Sequence, residues 1–297
     1  MADRGQDPVS PLPMTMDFNA LQLPVAPGRH LQIAVYGNPS TERVVLFDPG
    51  SFGIYADGHQ FCLELARRGW HAIAMTRAGM YGSDPLPEGQ APLPGFHVAD
   101  MARALDALGI DRPIVLAGHS MAGVRVHLAA HLLEERIRGL ILLDAVCPSL
   151  MDSFVWSGWV TWAKTLGSAG AFVASTALGP MVEELHPNGL KLEGRPREDK
   201  LASVSSEAHL MASAAEVAAT ERKSFADRIE PNLSLPSFFA TATPVSQGTT
   251  KLVEAYQAAG TWVQRIKPKN VGHVSLLAPP VVSNLADGAD AVWEAAS

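Results

Sequence analysis

The 297-residue chain predicts an α/β protein with a mostly parallel central sheet, covered by helices on both faces. Three observations predict it. Short, continuously apolar runs alternate with helical patterns, as a sheet buried on both faces requires. Glycine-rich loops follow several of these runs, at Asp48–Gly53, Arg77–Asp84 and Gly118–Gly123. The alternation stops after Asp144 and resumes at Ser237, which predicts an insertion within the sheet.

Residues 1–18 read as a loose lead-in. Strands are expected at Ala20–Val25 and His30–Tyr36, joined by the turn signal Ala26-Pro-Gly-Arg29. Val44–Phe47 is the next strand, followed by a helix over about 58–68 with Phe61, Leu63, Leu65 and Ala66 as its apolar positions. His71–Thr76 is a strand, and Val98–Leu108 a helix with Met101, Leu105 and Leu108 on one face. A strand from Ile114, a helix over Met121–Leu133 and a strand at Leu140–Asp144 complete the first part. After the insertion come strand Ser237–Ala242, helix Thr250–Ala259, strand Trp262–Ile266 and a last helix near 281–295. The division expected is a core of 19–147 and 233–297 with a helical cap over 148–232. Within the cap, the mixed-sign run Glu193–Lys200 reads as a solvated loop.

Composition narrows the function. Hydrophobic residues make up 47% and charged ones 18%, which fits a globular enzyme rather than a disordered chain. A net charge of −7 disfavours a nucleic-acid partner. The two cysteines, Cys62 and Cys147, are too few for a zinc site or a disulfide framework, and reduced thiols point to the cytoplasm. No signal-peptide pattern and no run of 18 apolar residues is present, so no membrane span is expected.

The segment Gly118-His-Ser-Met-Ala-Gly123 carries the chemistry. It joins an apolar strand to a helix through a sharp turn with Ser120 at the apex, the layout that lifts a serine hydroxyl above a sheet edge. Ala122 stands where glycine is usual, an added methyl group that the turn should still hold. Serine needs a base within hydrogen-bond reach. His273, after the last strand, is on the same expected edge; an ordinary loop histidine is the plainer reading. His119 is set aside because adjacent residues in the turn point apart. His127 and His131 have a spacing that suits a metal, yet no third ligand is evident, so helix packing or a surface position is expected and no metal.

The base needs a carboxylate to orient it. The loop Ala242–Thr250 contains none, so Asp144 is assigned by elimination and placement, with Asp152 as the alternative. Oxyanion donors are expected from the backbone N–H of Met121 and of Ser51, with Phe52 the other candidate. Trp156, Trp159 and Trp162 step by three residues and, with Phe52, are the candidate pocket residues; packing of the cap onto the core is the simpler role.

With these residues in place the chain resembles the α/β-hydrolase superfamily over roughly residues 30–295. The carboxylate on the strand after the elbow helix resembles the haloalkane-dehalogenase-like branch. That branch and the related epoxide hydrolases use an aspartate nucleophile, whereas Ser120 and Met121 stand here in place of the aspartate and the halide-binding tryptophan. The resemblance therefore implies the fold and a triad geometry, not an alkyl-enzyme.

The function expected is a serine hydrolase acting on a small-molecule carboxylic ester, thioester or lactone, with no cofactor. Acyl transfer, perhydrolysis, C–C cleavage or lyase chemistry on the same residues is the alternative within enzymes. A ligand-binding receptor with little turnover is the alternative outside them.

Overall fold

A computed structural model describes residues 18–153, 156–158, 160, 161, 164, 165, 189–221, 229–243, 246 and 248–297. The lead-in up to residue 17, much of the expected cap, and Phe154, Trp159 and Trp162 lie outside these.

Eight strands form one sheet: β1 (Phe18–Ala26), β2 (Arg29–Tyr36), β3 (Val44–Asp48), β4 (His71–Met75), β5 (Ile114–His119), β6 (Ile137–Leu143), β7 (Ser237–Ala240) and β8 (Val263–Ile266). Their order is β1-β2-β4-β3-β5-β6-β7-β8. The hairpin β1–β2 and the β2–β4 pair are antiparallel, and every other pairing is parallel. Helices α1 (His59–Arg67), α2 (Pro94–Ala107), α3 (Ala122–Leu132), α4 (Gly194–Val204), α5 (Glu207–Ala219), α6 (Thr249–Ala258) and α7 (Val281–Ala295) connect or follow the strands.

The period-2 alternation of the strands feeds two cores. Val45 and Phe47 of β3, with Val115 and Ala117 of β5, pack with α1 and α7. Val44 and Leu46, with Ile114 and Leu116, pack with α2, α3 and α6 on the opposite face. Both faces are covered, which is why the parallel strands read as unbroken apolar runs. On α1, Phe61, Cys62 and Leu65 are fully buried, and a phenylalanine or leucine so placed contributes about 1.5–3 kcal/mol.

Two boundaries depart from the sequence reading for identifiable reasons. Helix α2 begins at Pro94, four residues before the apolar periodicity starts, with proline in the first turn where its missing N–H costs nothing. The run Glu193–Lys200 is not a solvated loop: Gly194–Val204 is helical, and Pro196, Lys200 and Val204 are buried at a four-residue spacing. The mixed charges hid that face because Lys200 is itself buried, its ammonium 2.9 Å from both oxygens of Asp57.

Register aligns the C-terminal ends of the central strands, with Asp48 opposite Gly118 and His119 opposite Leu143. The loops after β3, β5, β6, β7 and β8 therefore leave one edge of the sheet. Helices α4 and α5 are part of the insertion between β6 and β7. Among the described residues, no helix is long and apolar enough to cross a membrane.

Among the described residues, five histidines are buried: His71, His97, His119, His127 and His209. Loss of water around the ring lowers the pKa from 6.5 to about 4 in His97, His127 and His209, and to about 3 in His119. The unfolded chain then binds more protons below pH 6.5, so stability is intact above that pH and lost as pH falls towards 4. Each ring removes up to about 1.4 kcal/mol per pH unit in that window. Urea midpoints are expected to drop steeply between about pH 6.5 and 4.5. A flat profile there would contradict the neutral, buried state of these rings.

Candidate active site

Ser120 follows the last residue of β5 and precedes the first turn of α3. Its φ is 57°, in the left-handed region that residues other than glycine avoid. Its N–H donates to Leu143 O at 3.1 Å, and its carbonyl accepts from Gly123 N at 3.0 Å and Val146 N at 2.8 Å. Those three bonds tie the strained turn to β6 and to the chain beyond it. Gly118 is required by close approach, since a Cβ there would stand 2.5 Å from Val126 Cγ2 and 3.1 Å from Ala122 Cβ. The absent side chain at 118 is what makes room for the extra methyl of Ala122.

Three of the five non-glycine residues with positive φ among the described residues lie along this edge: Phe52 (57°), Ser120 (57°) and Asp144 (44°). Backbone strain of this kind costs about 1–3 kcal/mol per residue and clusters at functional sites.

Asp144 follows β6 directly and is fully buried. Its Oδ2 accepts from His273 Nδ1 at 2.7 Å and from the Thr243 hydroxyl at 2.6 Å. Its Oδ1 accepts from the N–H groups of Ala242 and Thr243 at 2.8 and 3.0 Å. Burial raises the carboxyl pKa, yet these hydrogen bonds outweigh it and hold the group well below the usual range. The loop after β7 thus offers donors rather than a carboxylate, which explains why no acid was found in it. Because Nδ1 of His273 donates to Asp144, Nε2 of the neutral ring is left as the acceptor. Nothing is described of the Asp152 side chain.

His119 makes a contact that its place in the sequence does not reveal. Its ring lies 4.5 Å from that of His273, centroid to centroid, and its Nε2 is 2.9 Å from the His273 carbonyl oxygen. A carbonyl only accepts, so Nε2 carries the proton. Burial first, and the neighbouring His273 second, lower its pKa to about 3, so the ring is neutral at ordinary pH. Adjacent residues do point apart in the turn, but here the direction away from Ser120 leads to the backbone of the His273 loop.

The loop after β3 packs against the elbow. A Cβ on Gly50 would stand 2.7 Å from Ser120 Cβ and 3.2 Å from the His119 carbonyl oxygen. Among the described residues, the N–H groups of Ser51, Phe52 and Met121 meet no acceptor. Met121 shares an apolar cluster with Val146, Leu150, Met151, Trp156 and Val217. Trp156 is 5% exposed, and its indole N–H has no partner among the described residues. Phe52 is half-buried, and Trp159 and Trp162 lie outside the described residues.

Charged residues below this loop were missed by the sequence reading: Arg77, Arg125 and Glu216, all buried. A signal existed. Arg125 lies in the stretch Ala122–Ala130, apolar but for His127, and Glu216 in an alanine-rich helix, and a charge in such surroundings must find a partner. His127 is buried with neither ring nitrogen bonded among the described residues, whereas His131 Nε2 is 2.6 Å from the Glu230 carbonyl oxygen. Among the described residues, no group of three His, Cys, Asp or Glu is arranged to hold a metal ion.

Comparison with known proteins gives the family. The model described as "Alpha/beta hydrolase family" matches residues 44–285. The epoxide hydrolase CorEH superposes with a TM-score of 0.72 at 14% identity, covering 94% of this chain and 99% of that one. The epoxide hydrolase VrEH1 of Vigna radiata gives 0.70 at 14% identity, over 94% and 97% of the two chains. Cfl2 of Burkholderia cenocepacia gives 0.71 at 18% identity, over 93% and 97%. At such identities the likeness concerns the fold alone. A 78-residue stretch is 38% identical to the "Probable transporter efuK" of Hormonema carpetanum, spanning 25% of this chain and 11% of that protein's length. A match so partial says nothing about either whole protein. The family model, which spans most of the sheet together with the Ser120 turn, Asp144 and His273, places the chain in the alpha/beta hydrolase family.

Proposed function

We propose that the protein is a serine hydrolase that cleaves a carboxylic ester, thioester or lactone through an acyl-enzyme on Ser120. The observation that carries this reading is the 2.7 Å contact of His273 Nδ1 with Asp144 Oδ2, on the edge where Ser120 stands in its strained turn. Asp144 holds His273 in the tautomer whose Nε2 can take the Ser120 proton. Ser120 Oγ attacks the carbonyl carbon, and the N–H groups of Met121 and Ser51 receive the developing oxyanion. The proton on Nε2 then passes to the leaving oxygen or sulfur. Water, losing a proton to Nε2, attacks the acyl-enzyme and releases the acid and free Ser120. The insertion containing Trp156 acts as a cap, and the apolar cluster around Met121 receives the substrate's apolar part.

The fold neighbours named as epoxide hydrolases supply a second reading. Against it stands the chemistry of Ser120: ring opening by a serine would leave an ether, which has no carbonyl for water to attack. A panel of aryl esters, thioesters, lactones and terminal epoxides separates the two. The proposal expects ester or lactone turnover and no multiple-turnover opening of epoxides. Epoxide turnover with no activity on any acyl substrate would overturn it.

His119 acts by positioning the base. His119→Phe keeps the ring stack and removes the hydrogen bond to the His273 carbonyl. It is expected to lower kcat by about tenfold, the scale of one lost hydrogen bond, with KM nearly unchanged. Unchanged kcat in the folded variant would remove His119 from the account.

A further inference from the structure

Beneath the loop Asp48–Gly53 lies a buried cluster of four charges. Arg77 donates from Nε and Nη2 to the two oxygens of Glu216 at 2.7 and 2.8 Å, and from Nη1 to Asp48 at 3.1 Å. Arg125 donates from Nε to Asp48 at 2.6 Å and from Nη1 to Glu216 at 2.7 Å. All four side chains are at most 2% exposed. Two cations face two anions, so the cluster is neutral, as burial demands. His97 Nε2 lies 3.7 Å from Glu216 Oε1.

Further donors of both guanidinium groups go to the loop. Pro49 O accepts from Arg77 Nη1 at 2.7 Å and from Arg125 Nη2 at 2.8 Å, and Gly50 O accepts from Arg77 Nη2 at 2.9 Å. A planar trans peptide sets its N–H opposite its C=O. Holding the Gly50 carbonyl on Arg77 therefore turns the Ser51 N–H away from the cluster. That N–H meets no acceptor among the described residues, and Gly50 is packed on Ser120 Cβ. A second clamp acts further along. Phe52 O accepts from Lys200 Nζ at 3.0 Å and from His209 Nε2 at 3.2 Å, while His209 Nδ1 accepts from Tyr81 N at 3.0 Å.

Glu216, Lys200 and His209 all belong to α4 and α5, in the insertion, and not to the sheet. We infer that Glu216 is a positioning residue of the oxyanion site: it fixes Arg77, which fixes the Gly50 carbonyl and so aims the Ser51 N–H at the oxyanion formed on Ser120. This rests on the acyl-enzyme reading above. On this account α5 is a structural part of the catalytic loop, and not a lid that leaves the loop intact when it moves.

The test uses the full-length protein and the best acyl substrate from the panel. Glu216→Gln keeps the shape and one acceptor oxygen but loses the charge that grips Arg77. It is expected to lower kcat by about 10–100-fold, below the cost of deleting an oxyanion donor outright, with KM within about twofold. Ki for a trifluoromethyl ketone, whose adduct with Ser120 bears an oxyanion, should rise by the same factor. Arg77→Lys, which retains the charge but cannot hold Gly50 O and Glu216 together, should show the same pattern. Should Glu216→Gln lose its fold, the charge-balanced double variant Glu216→Gln with Arg125→Gln takes its place. Unchanged kcat and ketone Ki in the folded variants would overturn the inference, and so would equal losses in kcat and in binding of an uncharged product analogue. Wild-type protein that neither turns over acyl substrates nor binds the ketone would instead count against the acyl-enzyme reading itself.

Discussion

Ser120→Ala is expected to lower kcat for the best acyl substrate by about 10⁴–10⁶-fold while the protein stays folded. The size follows from the role: without the hydroxyl no acyl-enzyme forms, and only binding and the oxyanion donors remain to assist water. The fold should tolerate the change. Ser120 is only partly buried, its three turn hydrogen bonds are made by backbone groups, and alanine at φ 57° bears a similar strain. Initial rates together with thermal unfolding check both halves. Retention of more than about 1% of wild-type kcat would mean that another group performs the attack.

Asp144→Asn should come next, with a loss of about 10⁴-fold in kcat and little change in KM. The variant keeps its shape, and its amide oxygen can still accept from the N–H groups of Ala242 and Thr243. Its NH2 group, however, would face His273 Nδ1. That nitrogen must then accept, so the proton moves to Nε2, where it can no longer take one from Ser120. The pH profile adds a second check. Asp144 is held well below the usual carboxylate range, so wild-type activity should show no loss between about pH 5 and 4 that is attributable to its protonation beyond the loss of folded protein. Measuring kcat and KM for Asp144→Asn across pH tests the tautomer argument directly. A loss of less than tenfold would shift the orienting role to another residue.

Much of this was legible in the sequence because the sheet is buried on both faces. The apolar runs at Val44–Phe47, Ile114–Ala117 and Leu140–Leu143 could only be interior strands, and the serine turn between β5 and α3 follows from Gly118 and the small residue at 122. Placement on the shared edge was enough to bring Asp144 and His273 together. Contacts made by side chains distant in sequence were not legible. Nothing local shows that His119 reaches a carbonyl 154 positions away, or that Lys200 in a mixed-charge run meets Asp57 143 positions earlier. Arg125 and Glu216 went unread although a signal was present, since each stands as a lone charge within a largely apolar stretch of helix. The start of α2 was missed and α4 was read as a loop for a related reason, because a proline start and buried charges do not follow apolar periodicity.

The central claim is that Ser120 is an activated nucleophile. Intact mass after treatment with a small fluorophosphonate, on wild type and on Ser120→Ala, tests it most directly. The account predicts one adduct on wild type and none on the variant. An unlabelled, folded wild-type protein, or an adduct that persists on Ser120→Ala, would contradict it.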